Sequence, residues 1–367
     1  MKVLFLDQYG DPGGAQHCLL DLLPAMRERG WQTYVAAPDD GPLLKLACGA
    51  GAIVDTLRCG PYRSGGKTAS DMARFALELP RLAGEISGLI KRYEPEILYV
   101  NGPRLLPAVS IGAPRRLPVV FHCHSLLRGG PIVWLAGSSL RLLGATLIAN
   151  CDFVTGPLAG YVRDGYIVYN GVDGPAKLVP KSKPSKHAGM VGRIAPEKGQ
   201  AQFVDAARIA SPDLPGWRFV ICGAPLFQNA DAQRYDAALR ERAEGLPVEF
   251  LGWSCDPPAV LAGLDLLVVP SLAVEATTRV IVEAFAMGTP VLATRCGGIP
   301  EIVEDGSTGF LVDSPDPAAL ACRMCELLHG PPERLQEVSR RARRAWEQRF
   351  TLRHYQNRIL EILSTLV

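Results

Sequence analysis

The sequence predicts an α/β protein of two tandem doubly wound domains facing each other across a cleft. Three observations carry this prediction. Apolar strand-like runs alternate with longer helical patterns from the start, a Pro-, Lys-, Gly- and Ser-rich stretch breaks that rhythm before it restarts, and 367 residues exceed what one core fills.

In order, VLFLD reads as a strand, 15–29 as a helix, TYVAAP as a strand, 43–50 as a helix and IVDTL as a strand. A long helix over 70–93 follows, then ILYVN, a short helix, VVFHCH, an apolar segment over 131–149, LIANCDFVTG and YIVYN. Continuous Val/Ile/Leu runs belong to a parallel sheet covered on both faces. The break lies at 171–186. Beyond it come GMVGRI, a helix over 200–210, RFVICG, a helix over 230–243, VEFLGW, DLLVVP, a helix over 279–287, PVLATR and GFLV. After Pro331 the chain reads as helical, with Leu335, Val338, Ala342 and Trp346 on one face and the arginines of SRRARRAWEQRF on a solvated other face. The expected domains are therefore 1–172, a linker over 173–186, 187–345, and a terminal helix over 346–367 that packs back on the first domain.

A net charge of +2 and 21% charged residues suggest neither a nucleic-acid binder nor a disordered chain. Ten cysteines are scattered through a chain whose first apolar run is too short for a secretory signal, so reduced thiols and a cytoplasmic setting are expected. Cys322 and Cys325 form a C-x-x-C with no second pair, and read as buried thiols on a helix face. The segment over 131–149 carries Arg141 near its centre. That leaves two readings: a helix lying on a lipid surface with Arg128 and Arg141 as phosphate contacts, or a core helix with a snorkelling arginine.

The chemistry-bearing residues lie at predicted carboxyl ends of strands, where doubly wound sheets bind ligands. Gly13 and Gly14 form a turn between the first strand and its helix, where amides can approach an anion, although no G-x-G-x-x-G is present. Arg193 and Lys198 follow the strand GMVG, and a planar guanidinium beside an ammonium can neutralise a diphosphate. In VEATTRVIVEAFAMG, Thr277 or Thr278 is placed to cap a helix beginning near Arg279 and Val280. Glu275 precedes that helix. Glu283 falls in an apolar run, and burying it requires partners such as the two vicinal hydroxyls of a ribose.

The tract from Glu275 through CGGIPEIVEDGSTGFLV to Val312 resembles the E-x7-E signature and following glycine-rich tract of glycosyltransferase family 4. GGAQ, His124 in VVFHCHSLL, NGVD at 170–173 and VGRIAPEKG at 191–199 extend the likeness over almost the whole chain. The resemblance implies the GT-B fold of two Rossmann-like domains, with the first domain on the acceptor side and the second binding the nucleotide sugar. It implies transfer of a sugar from a nucleotide diphosphate donor, UDP-linked by preference, to a hydroxyl of a glycan or lipid-linked acceptor. It further implies retention of configuration, no metal or other cofactor, and a cytoplasmic enzyme of cell-envelope polysaccharide synthesis with a peripheral contact to the inner membrane face.

Carried over by position, Arg193 and Lys198 match the diphosphate grip, Glu283 the ribose ligand and Glu275 the carboxylate on the sugar hydroxyls. The amides near Arg279 and Val280 match phosphate donors, Gly14 beside Gly13 the loop next to the phosphates, and His124 the histidine beside the transferred sugar. Thr278 stands where the family usually carries glycine, so its side chain is expected to crowd the sugar. This leaves a nucleotide-sugar-binding protein without turnover as one alternative, and a GT-B sugar-nucleotide epimerase as the other. His122 lies on the same strand face as His124, with no role assigned.

Overall fold

The structure is a computed structural model describing residues 1–39, 41–60, 69–178, 184–225, 230–254, 256–272 and 275–367. Two compact units emerge, Met1–Tyr169 with Tyr355–Val367, and Asn170–His354. The expected linker lysines Lys181 and Lys183 fall outside the described residues.

In the first unit, β1 (Lys2–Leu6), β2 (Gln32–Ala37), β3 (Ile53–Thr56), β4 (Ile97–Val100), β5 (Val119–Cys123), β6 (Thr146–Ala149) and β7 (Gly165–Ile167) pair in parallel in the order β3-β2-β1-β4-β5-β6-β7. In the second, β8 (His187–Val191), β9 (Arg218–Cys222), β10 (Val248–Gly252), β11 (Leu266–Val269), β12 (Val291–Thr294) and β13 (Phe310–Val312) pair in parallel in the order β10-β9-β8-β11-β12-β13. Both orders reverse direction beside the first strand, between β1 and β4 and between β8 and β11. Loops at the carboxyl ends of those strands diverge there and leave a crevice.

The central strands are apolar throughout because helices cover both faces. β4, β6, β11 and β12 are buried at every residue. At the edge of the second sheet, β10 alternates: Val248 and Phe250 pack on the core formed around Phe203, Phe219 and Phe310, while Glu249 and Leu251 face out.

Three expectations are corrected. The apolar segment over 131–149 contains a helix, Gly130–Leu143, and then β6. Gly144 adopts the left-handed conformation (φ 60°) that ends the helix, which a side chain with a Cβ resists. Cys322 is exposed and Cys325 half-buried, because Pro317–His329 packs through Leu320, Ala321, Met324 and Leu327. Nor is the arginine face of the following helix, Pro332–Ala345, wholly solvated. Arg343 is buried, donates to the carbonyls of Ala286 and Pro175 and lies 4.1 Å over Trp346, while Arg340 and Arg341 pair with Glu337.

A π-helical turn, Trp346–Phe350, and a break at Thr351 separate that helix from Leu352–Ser364. From Tyr355 the chain belongs to the first unit, where the Tyr355 hydroxyl donates to the Cys18 carbonyl at 3.1 Å.

Candidate active site

In the second unit, the predicted residues gather at the β8/β11 switch point. β8 runs out through Gly192 to Arg193, and a short 3-10 turn, Pro196–Lys198, brings the chain back under the loop that follows β11. Leu272 N donates to the Glu197 carbonyl at 3.0 Å, tying the two loops together. Gly199 makes this approach sterically feasible. Its φ is +79°, and a Cβ there would stand 2.0 Å from the Pro270 carbonyl oxygen.

The consequence is an ion pair between residues 77 positions apart: Lys198 Nζ lies 2.9 Å from Glu275 Oε1 and 2.8 Å from Oε2. Ser271 Oγ reaches the same carboxylate at 3.4 Å. Arg193 Nη2 pairs with Glu197 Oε1 at 2.6 Å, and Arg279 Nε with Glu283 Oε1 at 3.1 Å. Each predicted cation is thus matched with a glutamate, and all six side chains keep an exposed portion. Such pairs add little to stability, and an anionic ligand can compete for the cations.

Helix Arg279–Met287 begins where the sequence placed it, with Thr278 at the N-cap. The expected cap is corrected, because Thr278 occupies the position without a side-chain hydrogen bond to the first turn. Thr277 and Thr278 are both buried. The burial of Glu283 is corrected as well. It is only half-buried, 23% of its side chain remaining exposed, and its (i, i+4) partner Arg279 supplies the compensation that the apolar run implied. Val280 sits in the first turn of the same helix.

In the first unit a second cluster occupies the β1/β4 switch point. Asp7, fully buried at the end of β1, accepts from Asn101 Nδ2 at 2.6 Å, from Gln16 Nε2 at 2.9 and 3.1 Å, and from Tyr9 N at 2.9 Å. Asn101 Oδ1 faces His124 Nε2 at 2.9 Å. Gln16 Oε1 takes the Gly13 amide at 3.0 Å, so this predicted anion-facing amide is engaged inside the protein. Gly14 begins the helix Gly14–Glu28, and a Cβ there would meet nothing within 4 Å.

His122 and His124 do share a face, with ring centroids 3.8 Å apart, and Tyr99 Oη lies 2.7 Å from His122 Nδ1. Asp7, Gln16 and Asn101 escaped the sequence reading. Gln16 stands in the GGAQ run without a role of its own, while Asp7 and Asn101 fit no spacing motif, and only their position after β1 and β4 could have marked those two.

Burial sets the ionisation here. Desolvation raises Asp7 to about 6, against donors that lower it, and pushes His124 down to about 3. His122 is held well below the usual imidazole range by burial first and by His124 second. A depressed histidine contributes stability above its unfolded pKa near 6.5 and loses it as pH falls; Asp7, being raised, contributes below about 4 and loses it as pH rises through about 6. His122 is 2% exposed, whereas His124 keeps an edge open to solvent, and Asp7 offsets one titrating histidine between about pH 6 and about pH 4. With two depressed histidines against one raised carboxyl, unfolding free energy should fall on acidification below pH 6.5, each titrating histidine removing up to about 1.4 kcal/mol per pH unit and Asp7 returning a similar amount between about 6 and about 4. Denaturant titrations between neutral and mildly acidic pH test this, and His122→Gln should flatten the slope. An unchanged slope would show that His122 does not govern the acid response.

Two doubly wound parallel sheets, with charged and polar clusters at both switch points, define a two-domain enzyme-like scaffold of the GT-B class. A profile described as "Glycosyltransferase Family 4" matches residues 12–174, and one described as "Glycosyl transferases group 1" matches residues 185–330. The chain belongs to glycosyltransferase family 4.

A D-inositol 3-phosphate glycosyltransferase of Corynebacterium glutamicum is 37% identical over 160 residues, 41% of this chain and 37% of that protein. A GDP-mannose-dependent alpha-(1-6)-phosphatidylinositol monomannoside mannosyltransferase of Mycolicibacterium smegmatis is 26% identical over 73% of this chain and 76% of its own length. The chain spans only 36 to 40% of the length of the first three curated relatives it matches. The crystal structure of Anabaena Alr3699/HepE in complex with UDP-glucose is similar over 100% of both chains, with 27% identity and a TM-score of 0.82.

Proposed function

We propose that this protein is a retaining glycosyltransferase that moves a sugar from a nucleotide diphosphate donor, UDP-linked, to a hydroxyl of a glycan or lipid-linked acceptor without a metal ion. The observation that carries the reading is the Lys198–Glu275 pair flanked by Arg193 and by the Arg279–Glu283 pair. On donor binding the diphosphate takes over Lys198 and Arg193, and Glu275 is released to accept from sugar hydroxyls. As the glycosidic bond breaks, negative charge grows on the departing diphosphate, where fixed cations stabilise it most. The acceptor proton passes to that phosphate on the same face. Glu283, turned from Arg279, receives the ribose hydroxyls.

Support for uridine is the likeness over the full chain to a protein crystallised with UDP-glucose; the mannosyltransferase relative is named for GDP-mannose and covers less of the chain. The phosphatidylinositol mannoside named for that relative supports a lipid-linked acceptor. No described helix is long and apolar enough to cross a membrane, and Ile132, Trp134 and Leu142 stand exposed on Gly130–Leu143. The exposed apolar residues favour peripheral contact with a membrane surface.

Thermal unfolding in EDTA with UDP, GDP, dTDP, ADP and NAD in parallel tests the reading. UDP is expected to raise the transition of the wild type and to leave an Arg193→Ala, Lys198→Ala double variant unshifted; ligand at about 100 times Kd corresponds to roughly 2.7 kcal/mol. Stabilisation by none of the five, or by NAD alone, would overturn it.

A further inference from the structure

We propose that Asp7 is a positioning residue for His124, acting through the Asn101 carboxamide to make His124 present Nδ1 as an unprotonated acceptor. The inference deepens the transferase reading and rests on it for its functional arm.

An ionised carboxylate only accepts hydrogen bonds, so the Asn101 atom 2.6 Å from Asp7 Oδ2 must be the amide nitrogen. The same Nδ2 also points at the Ala15 carbonyl at 3.3 Å, which demands a donor as well. Two independent acceptors therefore fix the carboxamide, and its oxygen is the atom turned to His124 Nε2 at 2.9 Å. An amide oxygen cannot donate, so Nε2 carries the proton. In a neutral ring the remaining nitrogen, Nδ1, is then a lone pair. Burial keeps the ring neutral, and the His122 ring packed 3.8 Å away limits its rotation.

The same carboxylate reaches the other predicted feature of this unit. Through Gln16 it holds the Gly13 amide and hence the turn that starts helix Gly14–Glu28. One buried acid thereby sets both the glycine turn and the histidine tautomer. A lone-pair Nδ1 can accept from a hydroxyl but cannot protonate a leaving group, so it suits His124 to orienting a sugar hydroxyl.

Long-range nitrogen–proton correlation NMR of the wild type at neutral to alkaline pH reads the tautomer directly, and His124 is expected as the Nε2–H form. The Nδ1–H form, or an imidazolium, would overturn the inference whether or not the protein transfers sugar. Asp7→Asn releases the constraint on Asn101 and should give mixed tautomers. Turnover should fall about 10- to 100-fold with the UDP-induced shift retained, because orientation and not donor binding is lost. Asn101→Ala, which leaves the Asp7–Gln16–Gly13 bonds intact, should reproduce both changes and decides the matter if Asp7→Asn fails to fold. A lowered Tm with tautomer and turnover unchanged would reduce Asp7 to a structural group. A confirmed tautomer in a protein that none of UDP, GDP, dTDP and ADP stabilises would retain the relay and reject the transferase reading.

Discussion

Glu275→Gln should lower turnover about 1,000-fold while the protein still binds UDP, the size of effect expected when one preorganised transition-state contact is removed. The carboxylate has two partners in sequence-distant loops, Lys198 at 2.8 and 2.9 Å and Ser271 at 3.4 Å. A carboxamide of the same shape keeps the volume but offers Lys198 one acceptor in place of two and no charge. Lys198 is then less engaged, so affinity for a diphosphate should hold or rise. The split between retained binding and lost turnover identifies Glu275 as a group that acts on the sugar. Wild-type turnover in the variant would move this protein to the class of nucleotide-sugar binders, a class that buried Thr278 left open. Equal loss of binding and turnover would mean that Glu275 only orders the loop.

Gly297→Ala should be the most damaging single methyl in the second unit. Gly297 has φ +57°, and a Cβ there would lie 1.7 Å from the Glu275 carbonyl oxygen, the same oxygen that accepts from Gly298 N at 3.0 Å. No rotamer relieves a backbone clash, so the strand–helix connection after β12 must move. The expected cost is about 3 kcal/mol or more, or roughly 10 °C in Tm. Gly263→Ala, where the added carbon meets nothing within 4 Å, should leave Tm nearly unchanged. Differential scanning calorimetry of the two variants checks the contrast. Similar Tm values would show that the tract after β12 relaxes freely and does not hold Glu275.

The glycine-rich tract CGGIPE thus has a physical reason beyond its pattern. It lets backbone pass against backbone behind Glu275, and the sequence signal and the steric demand fall on the same residue. Helix Arg279–Met287 was equally legible, because its apolar positions recur at helical spacing and Gly288 ends it with φ +67°. The helix–strand break inside 131–149 was harder to see. Both elements are apolar, and Gly144 was one small residue among several in that segment.

Sequence alone determined the two-sheet architecture, since alternating apolar runs and helical periods leave few ways to bury a parallel sheet. It also determined the cationic and acidic residues of the second unit, because strand, turn and helix signals placed them at strand carboxyl ends. Tertiary structure decided which charges meet. The pairing of Lys198 with Glu275 spans 77 positions and depends on Gly199 passing under Pro270, whereas Arg279 and Glu283 meet at the local (i, i+4) spacing of one helix. It also decided the Asp7–Asn101–His124 relay, whose members lie 94 and 23 positions apart. No local spacing encodes the Lys198–Glu275 pair or this relay. They exist because the strand order β1-β4-β5 sets the ends of three distant segments side by side, where burial makes each hydrogen bond costly to leave unmade.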